Sequence, residues 1–165
     1  MKRSHRVRRA ASVTLAVMLA YSCPVAANPH SRPFVVTLVG HANPIFTSDP
    51  CIIINDEAGT GQATHMGHIT WSSHETVNQC TNPEGADVDG AFVLTAANGD
   101  QVFGTYQTIA QLDFATFQVS ASGQFTITGG TGRFDGASGS GTIGADGSLL
   151  PPFEVLGGQV GRISF

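Results

Sequence analysis

Hydrophobic and polar residues alternate along several short stretches of this chain, and no long stretch carries apolar residues at helical spacing. The short stretches are rich in Val, Ile, Phe and Thr and are separated by turn residues, which is typical of β-strands. The pattern therefore predicts an all-β protein. The predicted strands are Pro33–His41, Gly61–Ser72, Val88–Ala96, Gln101–Thr108, Ala115–Ala121, Gln124–Thr128, Ser138–Ala145 and Val155–Phe165.

Short turn signals join most of these strands. Asn98-Gly99, Ser122-Gly123 and Asp146-Gly147 each stand between apolar stretches, and the residues 42–60 form the one long connection. Asn-Gly favours the positive φ angles of a tight hairpin, so neighbouring strands are expected to be antiparallel. Eight strands in such a meander can remove their exposed edges by closing on themselves. The sequence therefore predicts an eight-stranded antiparallel up-and-down β-barrel.

The N-terminus has the composition of a secretory signal peptide. Five basic residues in the first ten are followed by an apolar run from Ala10 to about Leu19 and by the small residues Val25-Ala26-Ala27. We therefore predict a signal peptide over residues 1–27, cleaved near Ala27, and one domain over residues 28–165 that is secreted or periplasmic. A lipidated Cys23 is the alternative, although Ala20 and Tyr21 depart from the lipoprotein pattern.

Charge excludes several classes of function. Outside the predicted signal peptide, three arginines face twelve acidic residues, which argues against nucleic acid and anionic membrane surfaces as partners. Lys2 is the only lysine, so a P-loop and Schiff-base chemistry are excluded from the exported chain. No second hydrophobic segment follows, so we expect no membrane insertion.

Two cysteines, Cys51 and Cys80, remain in the predicted exported chain. In an oxidising compartment the two are expected to form a disulfide, which would stabilise the fold by roughly 3–4 kcal/mol. The alternative is a pair of free thiols.

A glycine-rich run resembles a nucleotide-binding loop at first sight. Gly139, Gly141 and Gly144 give a literal G-x-G-x-x-G, but strand patterns flank it on both sides and no helix opens within it. We instead interpret the run as a hairpin, which needs no cofactor. Its turn comprises Gly129, Gly130 and Gly132, with Arg133 and Asp135 as a structural pair at the turn.

The histidines of the second predicted strand do not form a metal motif. His65 and His68 are three residues apart and so face opposite sides of a strand, and "HETVN" lacks the second histidine of H-E-x-x-H. We therefore predict no metal site.

One strand face carries candidates for a ligand pocket. His65 and Trp71 share the face of Ala63, Gly67 and Ile69, so they are expected to point together. If that face lines the lumen, the pocket-lining candidates are His65, Trp71, Glu75 and Tyr106. The alternative is that these are satisfied core residues.

Three segments of the chain resemble the sequences of secreted bacterial allene oxide cyclase-like barrels. They are "GQATHMGHITW" at 61–71, "TAANGDQVFGTY" at 95–106 and "FTITGGTGRFDGASGSGTI" at 125–143. The wider relatives of this family include plant dirigent proteins. The resemblance covers about Phe34 to Phe165, and its most specific mark is the G-G-T-G-[RK]-F element at 129–134.

The resemblance implies a calycin-type barrel with an internal cavity, without metal or organic cofactor, in a family that often forms dimers or trimers. Relatives bind apolar epoxides, radicals or polyenes and direct their cyclisation or coupling. The expected function is therefore binding of a small apolar molecule in the lumen, with a cofactor-free cyclase or isomerase activity as one form of it. The alternative is a non-enzymatic secreted structural or interaction protein.

Overall fold

The computed structural model describes residues 30–82 and 85–165. The predicted signal peptide, its cleavage site and Cys23 lie outside the described residues. A short 3-10 helix, Gly132–Phe134, lies between the sixth and seventh strands. The strands are β1 (Arg32–Phe46), β2 (Ile52–Ala63), β3 (Gly67–Asn78), β4 (Ala86–Ala96), β5 (Gln101–Asp113), β6 (Gln118–Gly130), β7 (Ser138–Ser148) and β8 (Glu154–Ser164).

The eight strands form one closed antiparallel barrel in chain order. Each strand pairs with the next, and β8 pairs with β1 to complete the ring. The prediction of an all-β, eight-stranded antiparallel barrel is therefore confirmed, and closure satisfies the hydrogen-bonding edges that an open sheet would expose. None of the helical segments among residues 30–82 and 85–165 is long and apolar enough to cross a membrane.

The strand between Cys51 and Thr64 was missed by the sequence pattern. The predicted long connection at 42–60 is mostly strand, because β1 runs to Phe46 and β2 begins at Ile52. The predicted strand Gly61–Ser72 is wrong, since a turn at residues 64–66 divides it between β2 and β3. In that turn His65 has a φ angle of 68°, a conformation that is uncommon for residues other than glycine, so the sequence pattern does not signal the turn.

Two of the predicted turns lie inside strands. Ser122-Gly123 pairs with Gly144 and Ile143 within β6, so the two strands predicted there are one. Asp146-Gly147 pairs with β8 within β7, and the chain turns only at residues 149–153. Hydrogen bonds to strands on both sides override these local turn preferences. The Asn98-Gly99 turn is confirmed, and Gly99 has a φ angle of 89°.

One half of the barrel is filled by a hydrophobic core. Its inward side chains are large: Phe34, Phe125 and Ile127 are at most 2% exposed, and Phe134 of the 3-10 helix is fully buried with them. We call this the closed end; the β2–β3 and β4–β5 turns lie there. Buried, mostly apolar residues alternate with exposed residues along strands such as β1 and β5, and the buried residues provide this core.

The other half of the barrel has small side chains at many inward positions. Ala110, Ala121, Ala145 and Gly157 stand where the closed end has Phe and Ile. We call this the open end; the connections 47–51, 114–117 and 149–153 lie there. The size of the inward residues therefore leaves this half of the lumen hollow.

A disulfide between Cys51 and Cys80 joins the two strands of the β2–β3 hairpin at the open end, as predicted. Cys51 directly precedes β2, and the carbonyl oxygen of Cys51 accepts a hydrogen bond from the amide of Gln79 at 2.9 Å. A structural disulfide indicates an oxidising, extracellular-type environment.

The glycine-rich run is a strand, a turn and a second strand. Gly129 and Gly130 belong to the end of β6, while Gly132 has a φ angle of 60° and begins the 3-10 helix. Arg133 lies beside Asp100, with 3.5 Å between its Nε and the carboxylate, rather than beside Asp135. The acidic partner of Arg133 at this turn is therefore Asp100.

Gly141→Ala is expected to lower the free energy of unfolding by about 2 kcal/mol, because overpacking forces a shift of the backbone. Gly141 faces inward, where an added Cβ would collide with the backbone of β8 and come within 2.8 Å of the Phe125 ring. Ser140 faces outward and is exposed, so Ser140→Ala serves as the matched control. Urea unfolding measures both variants, and equal losses would contradict the packing argument.

Candidate functional site

A cavity of about 380 Å³ occupies the open half of the lumen. Its wall is mainly apolar and includes Leu38, Val88, Val119, Ile143 and Val155. Phe46 and Phe114 border it at the open end, where they are 77% and 69% exposed. A concave, mostly apolar cavity of several hundred cubic ångströms is the usual form of a small-molecule site.

Glycines on neighbouring strands let two aromatic side chains lie flat against the inner wall. Gly40, Gly59 and Trp71 are aligned across β1, β2 and β3, and the indole of Trp71 lies over both glycines. Its Nε1 donates a hydrogen bond to the carbonyl oxygen of Val39 at 3.2 Å. Any side chain at either glycine would occupy the space of the indole.

Tyr106 crosses its neighbouring strand in the same way. Glu75, Gly90 and Tyr106 are aligned across β3, β4 and β5, so Gly90 leaves a gap between the other two side chains. The tyrosine ring lies over Gly90, and its hydroxyl donates a hydrogen bond to Glu75 at 2.5 Å. Gly90 is therefore the residue that allows β3 and β5 to share a hydrogen bond.

Five polar side chains of the cavity lining form a cluster on β2, β3 and β5, which we call the carboxylate cluster. Its members are Asn55, Glu57, Ser73, Glu75 and Tyr106, and all five line the cavity. Register places Asn55 opposite Glu75 and Glu57 opposite Ser73.

Asn55 links the two carboxylates of this cluster. Its Nδ2 donates hydrogen bonds to Glu57 at 3.1 Å and to Glu75 at 2.8 Å. The Ser73 hydroxyl donates to the other oxygen of Glu57 at 3.2 Å. The Oδ1 of Asn55 is buried without a hydrogen-bond partner, so the amide is oriented by the two acceptors it faces.

Burial shifts the protonation equilibria of this cluster. Burial, and then the charge of Glu75, raises the pKa of Glu57 to about 7, while hydrogen bonds from Ser73 and Asn55 oppose the shift. Burial, followed by the charge of Glu75, also raises the pKa of Tyr106, so its hydroxyl stays protonated and donates. The cluster therefore contains a carboxyl group that changes its protonation near neutral pH.

The structure brings three of the four predicted pocket residues together. Trp71, Glu75 and Tyr106 all line the cavity. His65 lies instead in the β2–β3 turn at the closed end, exposed, where its Nε2 is 3.0 Å from the carbonyl oxygen of Pro33 and its ring packs on Phe165. His65 does not share the face of Trp71, because the turn interrupts the strand that was predicted to carry both residues.

Sequence reasoning missed Glu57, Asn55 and Ser73. The first two lie in the stretch that was interpreted as a connection, and Ser73 lies just beyond the strand predicted to end at Ser72. The run Ile52-Ile53-Ile54 is a strand signal that precedes Asn55, and alternation from Ile53 would have placed Asn55 and Glu57 on one face. Their meeting with Glu75 depends on the β2–β3 register, which that signal does not give.

No permanent cation faces the carboxylate cluster among the described residues. The side chain of Arg162 binds Ser31, Arg133 lies beside Asp100, and Arg32 lies over the Phe165 ring. In the same part of the chain, no three His, Cys, Asp or Glu side chains are arranged to hold a metal ion.

Comparison with family models gave no match. Comparison with curated protein sequences also gave none. Among solved structures, the chain is similar to the pterocarpan synthase dirigent protein, with a TM-score of 0.46 and 10% identity over 84% of this chain and 88% of that one.

Proposed function

We propose that this protein binds one small, largely apolar molecule in the open half of its barrel, with a polar group of that molecule against the carboxylate cluster. The observation that carries the proposal is the cavity of about 380 Å³, which combines apolar walls with a few converging polar side chains. Trp71, Glu75 and Tyr106 are proposed as contact residues, together with Glu57.

The filled half of the barrel supports a binding role over a purely structural one. Large side chains already give the closed end a core, so the small inward residues of the open end are not required to close the barrel. A lumen filled throughout by Phe and Leu would favour the alternative of a non-enzymatic structural or interaction protein.

We also propose that the chain is a member of the secreted allene oxide cyclase-like barrels and that residues 1–27 direct its export. The motifs at 61–71, 95–106 and 125–143 support this membership. The acidic composition supports a small molecule as partner, without nucleic acid and without membrane insertion, and the resemblance supports a homo-oligomer.

A cofactor-free isomerase or cyclase is a second candidate, and Glu57 favours it. A carboxyl group with a pKa of about 7 can both take and return a proton at neutral pH. In this role Glu57 would transfer the proton, while Glu75 and Tyr106, joined by their hydrogen bond, would orient a polar group of the substrate.

Blocking the cavity is expected to weaken ligand binding. N-phenyl-1-naphthylamine, an uncharged apolar dye, should bind with one saturable site, seen as a rise in its fluorescence. Ala121→Trp places a large ring in the cavity and should weaken binding about tenfold or more.

The control is Ser120→Trp, because Ser120 is the exposed outward neighbour of Ala121 on β6. This variant should bind the dye as the unmodified protein does. Absence of saturable binding by the unmodified protein, or equal weakening by both variants in their folded state, would overturn the proposal.

A further inference from the structure

The carboxylate cluster has no counter-cation of its own. Glu57 and Glu75 share one amide group, Asn55 Nδ2, within a cavity whose lining includes no Lys, Arg or His. Removing a carboxylate from water costs free energy unless a cation or a proton accompanies it. In the ligand-free protein a proton on this pair meets that requirement, and in the complex a cation can replace it.

The hydrogen-bond donors around the two carboxylates are already engaged. The Tyr106 hydroxyl donates to Glu75, the Ser73 hydroxyl donates to Glu57, and Asn55 Nδ2 donates to both. Trp71 Nε1 donates to the backbone of Val39. Thr108 is the remaining hydroxyl in this part of the lining. Both carboxylates keep free lone pairs, and the buried Oδ1 of Asn55 has no donor, so the cluster favours a ligand group that supplies donors, which an ammonium does and a carboxylate or a carbonyl does not.

The rest of the cavity sets the form of the ligand. Beyond the cluster the wall is made of aliphatic side chains such as Leu38, Val88 and Val119. The indole of Trp71 lies beside the cluster, where an aromatic face favours a cation. Asp146 and Glu154 also border the cavity, but both are exposed at its open end, where water screens their attraction to a second ammonium. A second charge on the ligand therefore gains little there and has no partner against the aliphatic wall, which disfavours diamines.

We propose that the molecule bound in this cavity is an amphiphilic monoamine, with its ammonium group between Glu57 and Glu75 and its apolar body directed towards the open end. This inference rests on the proposed function and adds the chemical class of the ligand. The ammonium displaces the proton of the carboxyl pair, so binding of the cation releases a proton to the solvent where the pair was protonated.

The test compares ligands that share one chain and differ only in the head group. Octylamine, which like lysine is protonated at pH 8, should bind about tenfold more tightly than octanol, and octanoate should bind least. 1,8-Diaminooctane should bind less tightly than octylamine. Isothermal titration calorimetry at pH 8 measures all four, and displacement of N-phenyl-1-naphthylamine locates them in the cavity.

Glu57→Gln should remove the preference for octylamine over octanol while octanol still binds. Asp56→Asn is the matched control, since it changes the charge equally at the next residue, whose side chain lies outside the barrel and is 51% exposed. This control should retain the preference and so exclude general attraction of cations to an acidic protein.

The outcomes separate this inference from the proposed function. Equal binding of octylamine and octanol, or tighter binding of octanoate, would overturn the monoamine while leaving an apolar ligand in the cavity. A preference that persists in Glu57→Gln, or one that disappears in Asp56→Asn, would also overturn it. Absence of binding by all four ligands and by the dye would overturn the proposed function itself.

Discussion

Replacing both Cys51 and Cys80 by serine is expected to lower the free energy of unfolding by roughly 3–4 kcal/mol, the largest effect that we expect from a substitution outside the lumen. The disulfide closes a loop with a sequence separation of 29 residues. Its removal enlarges the unfolded ensemble, whereas the hairpin stays joined by backbone hydrogen bonds from Ile52–Asn78 to Ala63–Gly67. Urea unfolding of the double variant and of the unmodified protein measures the difference.

Reduction provides the control for this prediction. Dithiothreitol should lower the stability of the unmodified protein to that of the double variant and leave the double variant unchanged. The bridge would have only a minor role in stability if the double variant lost less than about 1 kcal/mol.

Glu57→Gln is expected to make the protein more stable than the unmodified protein by about 3 kcal/mol at pH 8, and by less than about 1 kcal/mol at pH 5. Burial raises the folded-state pKa of Glu57 to about 7, above the ordinary value of 4.5 for a glutamate carboxyl group. The stabilisation of the folded state by protonated Glu57 is therefore fully present below pH 4.5, and it is lost as the pH rises through about 7. Glutamine keeps an oxygen for Asn55 and carries no charge, so it does not show this loss.

The other titratable groups of the cavity define the control measurements. Glu75 and Tyr106 face Glu57 from β3 and β5, and Asp146 and Glu154 lie in the lining of β7 and β8. These groups are present in both proteins, so the difference between the two reports Glu57 together with its charge interaction with Glu75. Urea unfolding from pH 4.5 to 8.5 measures it, with Asp56→Asn as the exposed control. Parallel stability curves for the unmodified protein and Glu57→Gln would contradict the prediction.

A proton held near neutral pH connects this stability prediction to ligand binding. Octylamine affinity should rise with pH up to about 7, because protonated Glu57 and the ammonium compete for the same oxygens. Octanol carries no charge, and its affinity should vary much less. The same residue thus lowers the stability of the empty barrel at high pH and provides half of the proposed cation site.

The sequence by itself determined the fold class, the disulfide and the distribution of inward side-chain sizes. Period-two alternation survives local errors, so the barrel was predicted even though one strand was missed and β6 was divided at Ser122-Gly123. With two cysteines in the predicted exported chain, Cys51 had one partner, Cys80. The small residues of β6 and β7 near the open end, such as Ala121 and Ala145, are also visible in the sequence and account for the cavity.

Only the tertiary structure decided which side chains meet in that cavity. The β2–β3 register brings Glu57 and Glu75 together. In this register Glu57 lies opposite its hydrogen-bonding partner Ser73, and Glu75 lies opposite its hydrogen-bonding partner Asn55. Tyr106 joins them from two strands away because Gly90, between them, has no side chain. A turn at His65 removed that residue from the predicted pocket. Register, turn position and closure are cooperative properties of all eight strands, and local sequence preferences do not fix them.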